Sequence, residues 1–195
     1  MADREVAEHE MSIRVKLKSL GLPVLKAGIV EIKEGENAGV YLAQEPFLRK
    51  GGESVLIPIN SQYSEHPEHP TFLSTLRPAK DRRLIEQLAK ETALLFNAGF
   101  APFRFDYYGF YRKKDGSWHH VIMDVEEIHK VGVNHSMMSA RIRNMLNDVK
   151  HGIGQPPLTK ARYWLDGRHP IYKLFERAFL RNLNPGFGVY ESTRF

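Results

Sequence analysis

Two turn signatures, each set between runs rich in β-branched and aromatic residues, constrain this chain most. KEGENAG (33–39) separates the run 28–33 from 39–43, and RKKDGS (112–117) separates 103–111 from 118–123. Gly and Asn accept the positive φ angles of tight turns, and Asp115-Gly116 is a strong hairpin dipeptide, so each signature predicts two antiparallel strands. Between them lies the clearest helix signal in the sequence. Leu84, Ile85, Leu88, Thr92, Leu95 and Phe96 recur on one face, Asp81 stands where a cap is needed, and Asn97-Ala98-Gly99 closes the run. Hairpins interleaved with amphipathic helices predict an α+β domain.

Further elements follow the same periodicities. Residues 3–20 read as a helix, with Val6, Ile13, Leu17 and Leu20 at helical spacing and Gly21 and Pro23 ending it. Residues 46–60 hold a turn at Gly51-Gly52 and a short apolar run. SQYSEHPEHPT (61–71) is a loop by composition. Helices are predicted over 136–150 and 170–183, with a break at 152–157. The organisation this suggests is a small first segment, 1–60, and a larger helical one, 61–195, that carries the hairpin 103–123.

With 42% hydrophobic and 26% charged residues among 195, the chain is long enough and apolar enough to bury a core. Disulfides and Cys-based zinc sites are excluded, because there is no cysteine. The opening MADREVAEHE is too charged for a signal peptide, and no stretch approaches the roughly 18 apolar residues of a membrane span, so a cytoplasmic protein without a membrane span is expected. Charge is uneven. Residues 1–100 hold 13 Lys and Arg against 14 Asp and Glu, and residues 101–195 hold 15 against 9, so the second half attracts anions.

Candidate chemistry gathers in SWHHVIMDVEEIHK (117–130), where the apolar run Val121-Ile122-Met123 leads into Asp124, Glu126 and Glu127. A strand ending there delivers Asp124 to a sheet rim, where ligand-handling residues often sit. The plainer alternative is that Asp124 caps a turn. His119 and His120 are adjacent, so a strand would point them to opposite faces, and His66 and His69 lie in the Pro-rich loop. Neither pair has diagnostic metal-ligand spacing. Phe103, Phe105, Tyr107, Tyr108, Phe110, Tyr111 and Trp118, interleaved with Arg104, Arg112, Lys113 and Lys114, suit either a buried strand face or a surface that stacks on nucleic-acid bases.

The order of these pieces resembles the protein-kinase-like fold, in the style of the aminoglycoside phosphotransferases and lipopolysaccharide kinases. The resemblance is carried by LKSLGLPVLKAGIVEI, YLAQEPF, LLFNAGFAPFRFDYYGFY and HVIMDVEEI, and covers roughly residues 5–130. It implies a reduced small lobe with hairpin strands and a mostly helical large lobe. It also implies ATP and Mg²⁺ as cofactors, with Glu8 or Glu10 as the helix glutamate. Gln44, Glu45 and Pro46 would then form an adenine-binding hinge, Asp106 the catalytic aspartate and Asp124 the metal ligand. The sequence departs from the pattern in three places. No Gly-rich strand pair and lysine precede the helix, Tyr111 stands where an Asn is usual, and Arg104 stands where a His is usual. The expectation is ATP- and Mg²⁺-dependent phosphoryl transfer to an acceptor of unspecified class, or a degenerate, non-catalytic pseudokinase relative, with a partner chain as a route to completing the fold. The alternative is a basic, aromatic domain that binds nucleic acid or protein without catalysis.

Overall fold

The computed structural model describes residues 4–36, 38–45, 53–55, 72–102, 107–112, 116–126, 128–132, 135–154 and 169–187. Pro46, the loop 61–71 with His66 and His69, residues 103–106 and residues 113–115 lie outside them. The chain forms two compact units, one from Met1–Val55 with Tyr107–Glu126, the other from Leu56–Asp106 with Glu127–Phe195.

The first unit opens with helix α1 (Arg4–Ser19), whose buried face is Ala7, Glu10, Ile13, Arg14 and Leu17. Ile13 and Leu17 fulfil the apolar periodicity, but Val6 is 49% exposed. Residues 7, 10, 14 and 17 recur at steps of three and four, so the stripe runs through Glu10 and Arg14 and leaves Val6 to one side. Gly21, at φ 78°, ends the helix. The Leu22 N–H donates to the Leu17 carbonyl at 3.2 Å and the Gly21 N–H to the Lys18 carbonyl at 3.0 Å, a Schellman closure that buries Leu22 beside the last turn.

Strands β1 (Ala27–Ile32) and β2 (Gly39–Gln44) form the first hairpin, in register from Ala27 opposite Gln44 to Ile32 opposite Gly39. The second hairpin pairs β5 (Tyr108–Arg112) with β6 (Trp118–Ile122), and β3 (Glu53–Val55) adds antiparallel to β5. The stretch leaving α1 then runs beside the end of β6. The Ile122 N–H donates to the Pro23 carbonyl at 2.6 Å, and the Leu25 N–H to the Ile122 carbonyl at 3.1 Å. Tyr107, Tyr108 and Phe110 are buried, so inward-facing rings are not confined to alternate positions, and Tyr107 precedes the strand.

The second unit is built on α3 (Arg82–Asn97), with α2 (Phe72–Thr75), α4 (His135–Gly154) and α5 (Pro170–Asn182). Ile85, Leu88, Ala89, Thr92, Ala93, Leu95 and Phe96 form the buried face of α3, and α5 packs along it with Phe96 edge-on to Phe179 at 5.8 Å. Each of the fully buried Ile, Leu and Phe side chains on this face contributes about 1.5–3 kcal/mol. Asn97 ties the two helix ends, its Nδ2 donating to the Asn182 carbonyl and its Oδ1 accepting from the Asn184 N–H, both at 2.8 Å.

Three local expectations change in this unit. Asp81 precedes α3 but does not cap it, because the turn before the helix draws its carboxylate back to accept from the Arg77 N–H at 2.8 Å. Helix α4 runs on through Gly152 to Gly154 rather than breaking there. Gly99, at φ 81°, turns the chain into the short strand β4 (Phe100–Pro102), which pairs antiparallel with β7 (Ile128–Lys130). Helices beside small antiparallel sheets make this an α+β protein. Among the described residues no helix is long and apolar enough to cross a membrane.

Candidate functional site

The first unit contains an open cavity of about 330 Å³ lined by Glu10, Arg14, Leu25, Gln44, Glu45, Met123, Asp124 and Glu126. Three separate stretches build it. Helix α1 supplies Glu10 and Arg14 from its inner face, the end of β2 supplies Gln44 and Glu45, and the chain leaving β6 supplies Met123, Asp124 and Glu126.

Backbone bonds fix these stretches against one another. The Glu45 N–H donates to the Lys26 carbonyl at 2.9 Å, and the Lys26 N–H returns a bond to Glu45 Oε1 at 3.3 Å, which continues the β1–β2 pairing to the cavity edge. The Met123 N–H donates to the Tyr107 carbonyl at 2.9 Å, and Arg14 Nη2 donates to the Met123 carbonyl at 3.0 Å. Both anchors hold the strand end where Asp124 emerges. Asp124 is exposed, and its Oδ1 accepts from the Glu126 N–H at 3.0 Å. That bond closes an Asx turn, so the plainer reading of Asp124 as a turn residue is met by one carboxylate oxygen. Among the described residues Asp124 makes no ion pair with Lys or Arg.

The two glutamates considered on α1 part company. Glu8 is exposed and lies 3.9 Å from Arg4, whereas Glu10 is 7% exposed and faces the cavity. Burial, followed by the neighbouring Glu126 and a hydrogen bond with it, raises the Glu10 pKa above the ordinary carboxylate value, while Arg14 partly offsets the rise. Burial also lowers the Arg14 pKa, against the pull of Glu10, Asp124 and Glu126. A guanidinium stays protonated through such a shift, so the cavity combines a fixed positive charge with several carboxylates.

Glu10, Gln44, Glu45 and Asp124 therefore meet in one cavity, while the candidates Pro46 and Asp106 lie outside the described residues. Neither protein-family models nor curated proteins yield a match to this chain. Arg14 and Glu126 are the charged lining residues that sequence reasoning did not single out for a role. The signal for Arg14 was its place at the i+4 position after Glu10, which puts it on the same helix face.

The histidines and aromatic rings are arranged differently. His119 stacks on Tyr111 with centroids 5.4 Å apart, and the buried His120 sits edge-on to Tyr108 at 5.4 Å, so the neighbours do occupy opposite faces of β6. Among the described residues no group of three His, Cys, Asp or Glu side chains could hold a metal ion by itself. Tyr107, Tyr108 and Phe110 are at most 3% exposed, which commits them to the core rather than to base stacking.

Proposed function

We propose that the first unit binds a nucleotide together with Mg²⁺ in the cavity between α1, the end of β2 and the chain after β6, in the manner of the kinase-like proteins it resembles. One observation carries the reading. Four residues named for that role from three places along the sequence, Glu10, Gln44 with Glu45, and Asp124, line the same cavity.

The donor set fits the ligand. Magnesium commonly takes one or two carboxylates and completes its shell with water and phosphate oxygens, so Asp124, exposed and unpaired with Lys or Arg, suffices on the protein side with Glu126 beside it. Gln44 ends strand β2 and Glu45 follows it, and at the cavity edge the backbone groups that the β1–β2 pairing does not use suit the edge of a planar base. The ion would supply neutralisation of phosphate charge, and the residues themselves bind and orient. Phosphoryl transfer is the fuller form of the proposal and calls on Asp106; nucleotide binding without transfer is the pseudokinase form.

Thermal unfolding with ATP and MgCl₂ tests the binding. A ligand at 100 times its dissociation constant adds about 2.7 kcal/mol, a plain rise in Tm. An unchanged Tm at millimolar ATP and Mg²⁺ would sink the proposal.

A further inference from the structure

Arg14 has more hydrogen-bonding capacity than its surroundings use. The residue is 4% exposed, Nη2 donates to the Met123 carbonyl at 3.0 Å, and among the described residues Nε and Nη1 have no hydrogen-bond partner. One N–H on Nε and two on Nη1 are thus unpaired, in a buried and charged group. Leaving such donors unmade is costly, and most buried polar groups in folded proteins avoid it. Glu10, Asp124 and Glu126 lie near enough to act on the guanidinium, yet none forms an ion pair with it. The strain falls on a residue that lines the cavity.

We infer that Arg14 is the anion anchor of the cavity and binds a phosphate group of the ligand through the N–H groups of Nε and Nη1. The inference rests on the reading of the cavity as a nucleotide site. The phosphate reaches Arg14 only with a divalent cation. Glu10, Glu45, Asp124 and Glu126, if all ionised, outnumber Arg14 by four charges to one, so an anion arriving alone meets net repulsion. A divalent cation held by Asp124 would offset most of that excess negative charge and so lower the repulsion of an incoming phosphate. The N–H groups are covered in the cavity wall, so binding includes a rotation of the Arg14 side chain that turns them onto the ligand. Arg14 then links two events, since the same guanidinium also holds the Met123 carbonyl just before Asp124.

The test compares wild type with Arg14→Met by calorimetry, using ATP, tripolyphosphate and adenosine as probes, each with and without Mg²⁺. Circular dichroism checks the fold of the variant, and the Arg14 Nε–H resonance of the wild type gives a readout that needs no substitution. The expected result is a loss of about tenfold or more in affinity for ATP and tripolyphosphate with Mg²⁺, as follows from removing charge-assisted hydrogen bonds, with adenosine affinity changed less than about twofold. The Nε–H resonance should move when tripolyphosphate and Mg²⁺ are added together, and stay still when either is added alone. Unchanged ATP affinity in Arg14→Met, or an Nε–H resonance that ignores tripolyphosphate with Mg²⁺, would overturn the anchor and leave the nucleotide reading intact. Tripolyphosphate binding with a shifted Nε–H but no adenosine binding would support the anchor and overturn the nucleotide reading. No binding of any probe to the wild type would overturn both. Should Arg14→Met fail to fold, the wild-type resonance decides.

Discussion

Helices α1 and α3 each span 16 residues, and each turns one face inward, but they bury different chemistry. The inner face of α3 is almost wholly apolar, and its one buried carboxylate, Glu91, receives a hydrogen bond from Gln87 at 2.9 Å. The inner face of α1 puts Glu10 and Arg14 among Ala7, Ile13 and Leu17, and neither charged group is satisfied as fully. Burying charge costs stability unless it is well paired, so α3 is arranged for stability alone while α1 gives some up. A helix that keeps poorly compensated charges beside a cavity marks the place to look for a ligand.

The contrast can be broken most forcefully from the α3 side. Phe96 is fully buried and edge-packed on Phe179, so Phe96→Ala should cost about 3–5 kcal/mol, read as a lower urea midpoint, without altering nucleotide affinity in protein that remains folded. A loss under about 1 kcal/mol would show that α3 is not the stabilising helix of the pair. Asp124→Asn should behave in the opposite way. Asparagine keeps the oxygen that accepts from the Glu126 N–H, so Tm should move by no more than about 1–2 °C while affinity for ATP with Mg²⁺ falls at least about tenfold, roughly 1.4 kcal/mol. Undiminished Mg²⁺-dependent binding in this variant would remove Asp124 from the site.

Glu10→Gln gives the smallest effect and the finest test. The Glu10 pKa is raised in the folded protein, so its proton-linked stability is full below the ordinary value near 4.5 and is lost as pH rises through the raised value. Above that raised value an ionised Glu10 therefore works against the fold. Glutamine removes that penalty, and the variant should melt about 1–3 °C higher than wild type at pH 7, with the gain vanishing below about pH 4.5. A variant less stable than wild type at pH 7 would mean that Glu10 is held by Arg14 more firmly than it is opposed by Glu126.

Much of this was legible in the residues themselves. Apolar spacing located α1, α3 and the two later helices, since burying a stripe is what keeps a helix of this length folded. Turn residues located both hairpins, because Gly at positive φ and Asp-Gly pairs mark where strands reverse. Three-residue strands leave no such trace. The pairing of β4 with β7 was not visible because Phe100–Pro102 and Ile128–Lys130 are too short to show a period and lie far apart in the chain.

The candidate site divides along the same line. Local periodicity was enough to set Asp124 after an apolar strand and Glu10 and Arg14 one helical turn apart. Tertiary structure alone decided that Glu10 rather than Glu8 faces inward, and that residues 107–126 join Met1–Val55 in one unit. It also brought Gln44 and Glu45 to Asp124 around one cavity. Those outcomes rest on hydrogen bonds between distant segments, Pro23 and Leu25 to Ile122 and Arg14 to Met123, and local pattern carries no information about which distant segments will pair.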